Sequence, residues 1–232
     1  MISRRKFIQT TSIAGTCFLL TPEISKASFL GSPNNKVVLG MMGTNNRGLY
    51  LAQNFAKIPN VEIGYVCDVD SKVLESTINE IFKQTGKKPQ GFTDIRKMLE
   101  VKEMDALVIA APDHWHAPAT IMACQAGKHV YVEKPGSHNP HEGEMAVEAS
   151  KKYKRLVQMG NQSRSVANVQ GMIKELNSGI IGRAYYAKGW STSKRINIGK
   201  GKQVAVPEHL NYDLWQGPAP RMAFQDNLIH HN

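Results

Sequence analysis

Short β-branched and apolar runs alternate along this chain with stretches whose apolar residues recur at helical spacing. The runs Val37–Leu39, Val61–Cys67, Ala106–Ala110, Val130–Glu133 and Leu156–Met159 read as strands. Helical patterns fall between and after them, near 47–57, 71–85, 94–101, 116–126 and 140–153. Strand and helix alternating at this interval predict a doubly wound parallel sheet of the α/β class. Pro118 and Pro140 stand where first helical turns are expected, and Gly86 and Gly127 where helices stop. No internal repeat or low-complexity segment interrupts the pattern.

Candidate chemistry gathers where strands end. In open α/β sheets ligands bind outside the carboxyl ends of the strands. The run Gly127-Lys128-His129-Val130-Tyr131-Val132-Glu133-Lys134-Pro135 ends an apolar strand on a lysine, a residue that does little for folding there and would face a ligand. The first strand-to-helix turn is Gly40-Met41-Met42-Gly43-Thr44-Asn45-Asn46-Arg47-Gly48. Against the dinucleotide fingerprint, Gly43 takes the tight turn and Gly48 the close helix–strand contact, while Asn45 replaces the glycine that lets backbone approach a pyrophosphate. Asparagine tolerates left-handed geometry, so the loop can survive the change. Arg47 either adds positive charge beside that pyrophosphate or covers the helix surface.

Asp68 closes the second strand, 25 residues after Gly43. A carboxylate there accepts from ribose hydroxyls and repels a 2′-phosphate, favouring NAD over NADP; the alternative is a helix N-cap ahead of Ser71. After the next strand comes Ala110-Ala111-Pro112-Asp113-His114-Trp115-His116. Its histidines lack further ligands at metal spacing, so no metal is assigned; they lie beside a nicotinamide ring, or His116 simply opens the next helix.

Composition narrows the setting. With 232 residues and 41% hydrophobic content, the chain can bury one domain's core and part of another. Its formal charge of +10 drops to +7 without residues 1–27, which hold four basic and one acidic side chain. The remaining basic residues are scattered, with small clusters at Lys151–Arg155 and Lys194–Lys202 and no interleaved aromatics, which argues against nucleic-acid binding. Ser3-Arg4-Arg5-Lys6-Phe7-Ile8, a short apolar run at Ile13–Leu20 and Ser25-Lys26-Ala27 read as a twin-arginine export leader with a cleavage site. That run is too short to span a bilayer. Cys17 lacks the small residue that precedes a lipidated cysteine, which argues against a lipid anchor. Cys67 and Cys124 are expected to be two buried thiols rather than a disulfide.

Taken in order, Gly43-x-x-x-Arg47-Gly48, Cys67-Asp68-Val69-Asp70, Pro112-Asp113-His114-Trp115-His116 and Gly127 to Pro135 resemble the Gfo/Idh/MocA oxidoreductases, from Lys36 nearly to the end. Gln158–Gln162 and Tyr212–Pro220 resemble the exported branch of that family. The resemblance implies an NAD(P)-binding Rossmann domain followed by an α/β domain with a large open sheet that covers the substrate. It divides the chain into a signal peptide at 1–27, a linker at 28–35, the dinucleotide-binding domain at 36–160, and the incomplete beginning of the substrate domain at 161–232. Only Ala184–Trp190 reads clearly as a strand of that second domain. The chain is therefore expected to be a fragment that exposes apolar surface.

By the same resemblance, Lys134 approaches the substrate hydroxyl and the nicotinamide, and the bond before Pro135 is cis. A partly desolvated ammonium beside a cationic ring would have a lowered pKa, suiting it to relay the proton lost as hydride leaves carbon. The cofactor-binding set comprises Gly43, Thr44, Asn45, Arg47, Gly48, Asp68, Pro112, His114, His116, Glu133 and Lys134. The alternative for Lys134 is pairing with Glu133 or a phosphate. His230 and His231 could approach the active site of the complete protein or simply be exposed.

The expected function is NAD-dependent hydride transfer with a sugar or polyol, in a periplasmic protein whose partners are that substrate and the export machinery. A homo-oligomer is also open. The alternatives are an NAD-dependent glycoside hydrolase working through a transient keto sugar, and a catalytically silent nucleotide- or sugar-binding relative.

Overall fold

The structure is a computed structural model that describes residues 36–190, 197 and 199–229. The leader, Cys17, the linker and the His230–His231 pair lie outside the described residues. Six strands form one sheet in the order β3-β2-β1-β4-β5-β6. They are β1 (Val37–Met42), β2 (Val61–Cys67), β3 (Gln90–Phe92), β4 (Ala106–Ile109), β5 (His129–Glu133) and β6 (Val157–Gly160). The ladders β2–β3, β1–β4, β4–β5 and β5–β6 are parallel. Helices α1 (Arg47–Phe55), α2 (Ser71–Thr85), α3 (Ile95–Leu99), α4 (Asp113–Gln125) and α5 (Pro140–Tyr153) connect them. Two further helices follow, α6 (Ala167–Asn177) and α7 (Tyr212–Gln216).

The period-two pattern of the strands builds a core on each face. Leu39 and Met41 of β1 and Val108 of β4 pack with Leu51, Ala52 and Ile81 of α1 and α2. Met42, Leu107 and Ile109 point the other way, against Met98, Ala119, Cys124 and Ala149 of α3, α4 and α5. A parallel sheet covered on both sides in this way needs near-continuous apolar strands, which is what the runs supply.

Helix ends follow local chemistry. The Asp70 carboxylate accepts from Lys72 N and Val73 N to start α2, and Gly86 stops it at φ 71°. Asn139 caps α5, with Pro140 in its first turn. Helix α4 departs from expectation: it opens at Asp113, so Pro118 lies inside it rather than at its start. Pro118 is the sixth residue of the helix, past its first turn, so it removes the hydrogen bond that an N–H there would give the His114 carbonyl.

Strand β3 was not expected, because Gln90-Gly91-Phe92 has no apolar periodicity and pairs only as an edge. Ala184–Trp190 is not a strand. Among the described residues no partner strand takes up its backbone, and Tyr185, Tyr186 and Trp190 are exposed. Together with Met172, Ile173, Ile180 and Ile181 they form an exposed apolar stretch. Cys67 and Cys124 are buried free thiols. No described helix is long and apolar enough to cross a membrane.

Candidate dinucleotide site

The strand order reverses at β1, and a cleft of about 560 Å³ opens at the carboxyl ends of β1, β2 and β4. This is the place where open α/β sheets bind ligands. The β1–α1 turn forms one wall. Gly43 has φ +75°, and a Cβ there would lie 2.6 Å from the backbone of Ala111. A Cβ on Gly48 would lie 1.9 Å from the Gly43 carbonyl oxygen. Both positions therefore exclude any side chain, and the missing atoms let α1 start against the sheet.

Asn46, not Asn45, takes the positive φ, at 38°. Asn45 instead accepts the Asn46 N–H on its side-chain oxygen. No side chain caps α1 and no acidic residue stands in its first turn; Gly48 N donates to the Asn45 carbonyl, and the positive end of the helix is left without an opposing charge of its own first turn, which favours an anion in the cleft.

Asp68 closes β2 and ties the two loops together. Its Oδ2 accepts from Thr44 N at 2.7 Å and Thr44 Oγ1 at 3.2 Å, and its Oδ1 from Asp70 N at 3.0 Å. The helix cap ahead of Ser71 is Asp70, so Asp68 is not spent on that role. Burial raises the Asp68 carboxyl pKa above the usual aspartate value, opposed by the hydrogen bonds from Thr44 and Asp70. Burial, with the Asp68 and Asp94 charges, drives the Cys67 thiol far above its ordinary range.

Of the residues expected at the site, Gly43, Asn45, Arg47, Asp68 and Pro112 line this cleft. Thr44 is buried behind it. Arg47 faces both ways: its guanidinium donates through Nε and Nη2 to Glu133 Oε1 at 2.9 and 2.7 Å. Glu133 is buried at 5% exposure and also accepts from Gln162 Nε2. Glu133 is thus matched by Arg47 and Gln162, which join α1, β5 and the turn after β6. Lys134 is exposed, makes no hydrogen bond or ion pair among the described residues, and precedes Pro135 through a cis bond.

His116 is buried, its Nδ1 against the Pro135 carbonyl and its Nε2 2.9 Å from the Ala111 carbonyl. A neutral ring donates to only one of those oxygens, and the buried ring sits between the loop of Lys134 and the end of β4. His114 meets the Trp215 carbonyl instead, at 2.8 Å through Nε2. Among the described residues no three His, Cys, Asp or Glu side chains converge on a metal position.

The sequence reading missed the opposite wall. Leu210, Leu214, Trp215, Leu228 and Ile229 line the cleft from far along the chain. No periodicity in that segment points at the sheet; only the run Tyr212–Pro220 stood out, and by resemblance alone.

Comparison with known proteins agrees with this architecture. The model of the Gfo/Idh/MocA family, described as an oxidoreductase family with an NAD-binding Rossmann fold, matches residues 37–161. A glycosyl hydrolase family 109 protein of Shewanella baltica is 28% identical over 207 residues, covering 77% of this chain and 45% of the relative. Among solved structures, myo-inositol 2-dehydrogenase from Lactobacillus plantarum superposes with a TM-score of 0.59 at 26% identity, covering 64% of this chain and 43% of the other. The WlbA dehydrogenase of Bordetella pertussis, in complex with NADH and UDP-GlcNAcA, gives 0.57 at 26% identity, covering 64% and 44%. The chain thus spans about half the length of the relatives it matches. A six-stranded sheet with its cleft at the strand switch and a family match over the whole of that sheet lead to one conclusion: this chain belongs to the Gfo/Idh/MocA oxidoreductase family.

Proposed function

We propose that the complete protein is an NAD-dependent oxidoreductase acting on a secondary alcohol of a sugar, polyol or sugar derivative. The observation that carries this reading is the cleft itself, where side-chain-free turns at Gly43 and Gly48 and the Asp68 carboxylate meet at the strand switch. The residues fit the dinucleotide. The N-terminus of α1 suits a pyrophosphate, and Asp68 keeps acceptor capacity for ribose hydroxyls after its three hydrogen bonds. Asp68, Asp70 and Asp94 all line the cleft, and their charges disfavour a 2′-phosphate, hence NAD over NADP. When bound, the nicotinamide supplies the hydride acceptor.

Lys134 stands at the end of β5, held between the buried Glu133 and a proline whose carbonyl meets His116. Its exposed side chain is the group assigned to the alcohol proton: the amine form takes it as hydride passes from the carbinol carbon to the nicotinamide, and the ammonium so formed returns it in the reverse direction. Lys134→Ala in the full-length protein should abolish turnover while NAD still binds. Undiminished turnover in that variant would remove Lys134 from the chemistry.

The likeness to glycosyl hydrolase family 109 proteins supports a second reading, in which transient oxidation to a keto sugar acidifies the neighbouring C–H and permits glycoside elimination. A dehydrogenase accumulates NADH in step with product; the redox-assisted glycosidase releases sugar with no net NADH. A silent relative would bind nucleotide and do neither. We further propose export by the leader around Arg4-Arg5, tested by Arg4→Lys/Arg5→Lys with localisation of the full-length protein.

A further inference from the structure

Residues 207–229 cross the cleft and are fastened on both sides of it. On the β2 side, Ser71 N donates to the His209 carbonyl at 2.8 Å and Asn211 N to the Val69 carbonyl at 2.9 Å, while Leu210 bridges Asp70. On the β4 side, Trp115 Nε1 donates to the carbonyls of Leu214 and Trp215 at 3.0 and 3.2 Å, and His114 Nε2 lies 2.8 Å from the Trp215 carbonyl. Gly217, at φ 51°, packs directly on the Trp115 ring: a Cβ there would sit 2.3 Å from it. The segment is stiffened internally. Asn211 caps Leu214 N, and Tyr212 stacks on Trp215 and meets Phe224 edge-on.

These anchors stand on either side of the strand switch, and the anchored residues Leu210, Leu214 and Trp215 themselves line the cleft as its roof. The opposite wall is the Gly43 turn and Asp68. Polar groups below and apolar side chains above are what a flat, charged dinucleotide requires, its phosphates on backbone N–H groups and its rings against hydrocarbon.

We propose that this strap is part of the cofactor site: Leu210, Leu214 and Trp215 pack on the bound nicotinamide dinucleotide, and the strap must lift from Trp115 before the cofactor leaves. This rests on the reading of the cleft as a dinucleotide site. It predicts slow cofactor exchange, because release needs the breaking of hydrogen bonds on at least one flank as well as loss of the apolar contact. Trp115, quoted in the sequence only as part of a motif, becomes the latch.

The test uses the full-length protein with NADH as probe, measuring affinity by fluorescence titration and release by stopped-flow displacement with excess NAD. Leu214→Ala/Trp215→Ala removes the apolar roof and should speed release and weaken affinity by about tenfold or more. Trp115→Phe keeps a ring under Gly217 but deletes the two indole hydrogen bonds. It should speed release by severalfold while the melting temperature holds, a split that a merely structural role does not produce. If the double variant fails to fold, Trp115→Phe decides alone. Wild-type binding with unchanged release in the folded variants would overturn the strap and leave the dinucleotide reading standing. Absence of any wild-type binding to NADH or NADPH would remove the reading of the cleft and the strap with it.

Discussion

Gly48→Ala puts the local geometry of the dinucleotide turn to a test of sign. In a helix interior, replacing glycine by alanine ordinarily stabilises by about 0.5–1 kcal/mol, because the unfolded chain loses freedom. Here the added Cβ would lie 1.9 Å from the Gly43 carbonyl oxygen and 2.8 Å from its carbon. The obstructing atoms are backbone, and Gly43 cannot retreat: its own α-carbon face lies against Ala111, within the 2.6 Å that a Cβ would occupy. Overpacking of this kind costs about 1–3 kcal/mol. With backbone on both sides the upper part of that range applies, and about 2 kcal/mol of net destabilisation is expected after the glycine gain. For a chain of this size that is a fall of roughly 4–8 °C in melting temperature. The control is Gly171→Ala in α6, where nothing lies within 4 Å and no fall is expected. Thermal denaturation followed by circular dichroism reads both. A Gly48→Ala protein melting at or above wild type would refute the packing that brings α1 onto the sheet.

Asp68→Asn should weaken NAD binding by about 10–100-fold, the loss expected for charge-assisted hydrogen bonds, and narrow the preference over NADP. Because burial raises the Asp68 pKa, wild-type NAD affinity should start to fall with decreasing pH above the range where an ordinary aspartate titrates, and the Asn variant should lack that inflection. The same shift means the folded state holds that proton more tightly than the unfolded one. Asp68 thus favours folding on the acid side, and that contribution declines as pH rises from the ordinary aspartate value of 3.8 through the folded one. Iodoacetamide at pH 8 should leave Cys67 and Cys124 unmodified in the native protein and label both after unfolding, since burial raises both thiols; mass mapping of either as labelled in the native state would contradict the packing. Lys128 is buried, its Nζ donating to the Val101 carbonyl at 2.7 Å; Lys128→Met keeps the stem and loses the donors, and should cost about 2 kcal/mol in urea denaturation.

The doubly wound sheet was legible because its strands are continuous apolar runs bounded by glycine and proline. The ranges for β2, α2 and α5 agree with the sequence reading at both ends. Elements whose order comes from contacts rather than periodicity were not legible. Strand β3 is three residues long and rests on β2, while α6 and α7 follow a region without alternating pattern. At the site, the places of Gly43, Gly48 and Asp68 could be read because they depend on backbone geometry and strand position. The pairing of Arg47 with Glu133 joins residues 86 apart, and only the fold reveals it. The strap is the extreme case: Leu210 and Leu214 are ordinary apolar residues until Trp115 and Asp70 are seen beside them. The exchange of roles between Asn45 and Asn46 shows the same limit, since both tolerate positive φ and sequence alone does not choose between them.

On the function proposed above, the cleft at the strand switch holds a nicotinamide dinucleotide. Full-length protein, purified without added nucleotide, should be denatured in acid and the released cofactor identified and counted, with titration by NAD and NADP of any apo fraction. Release of close to one NAD per chain, or tight titration with NAD in preference to NADP, is the predicted result. A protein that releases no nicotinamide cofactor and binds neither dinucleotide would contradict the account.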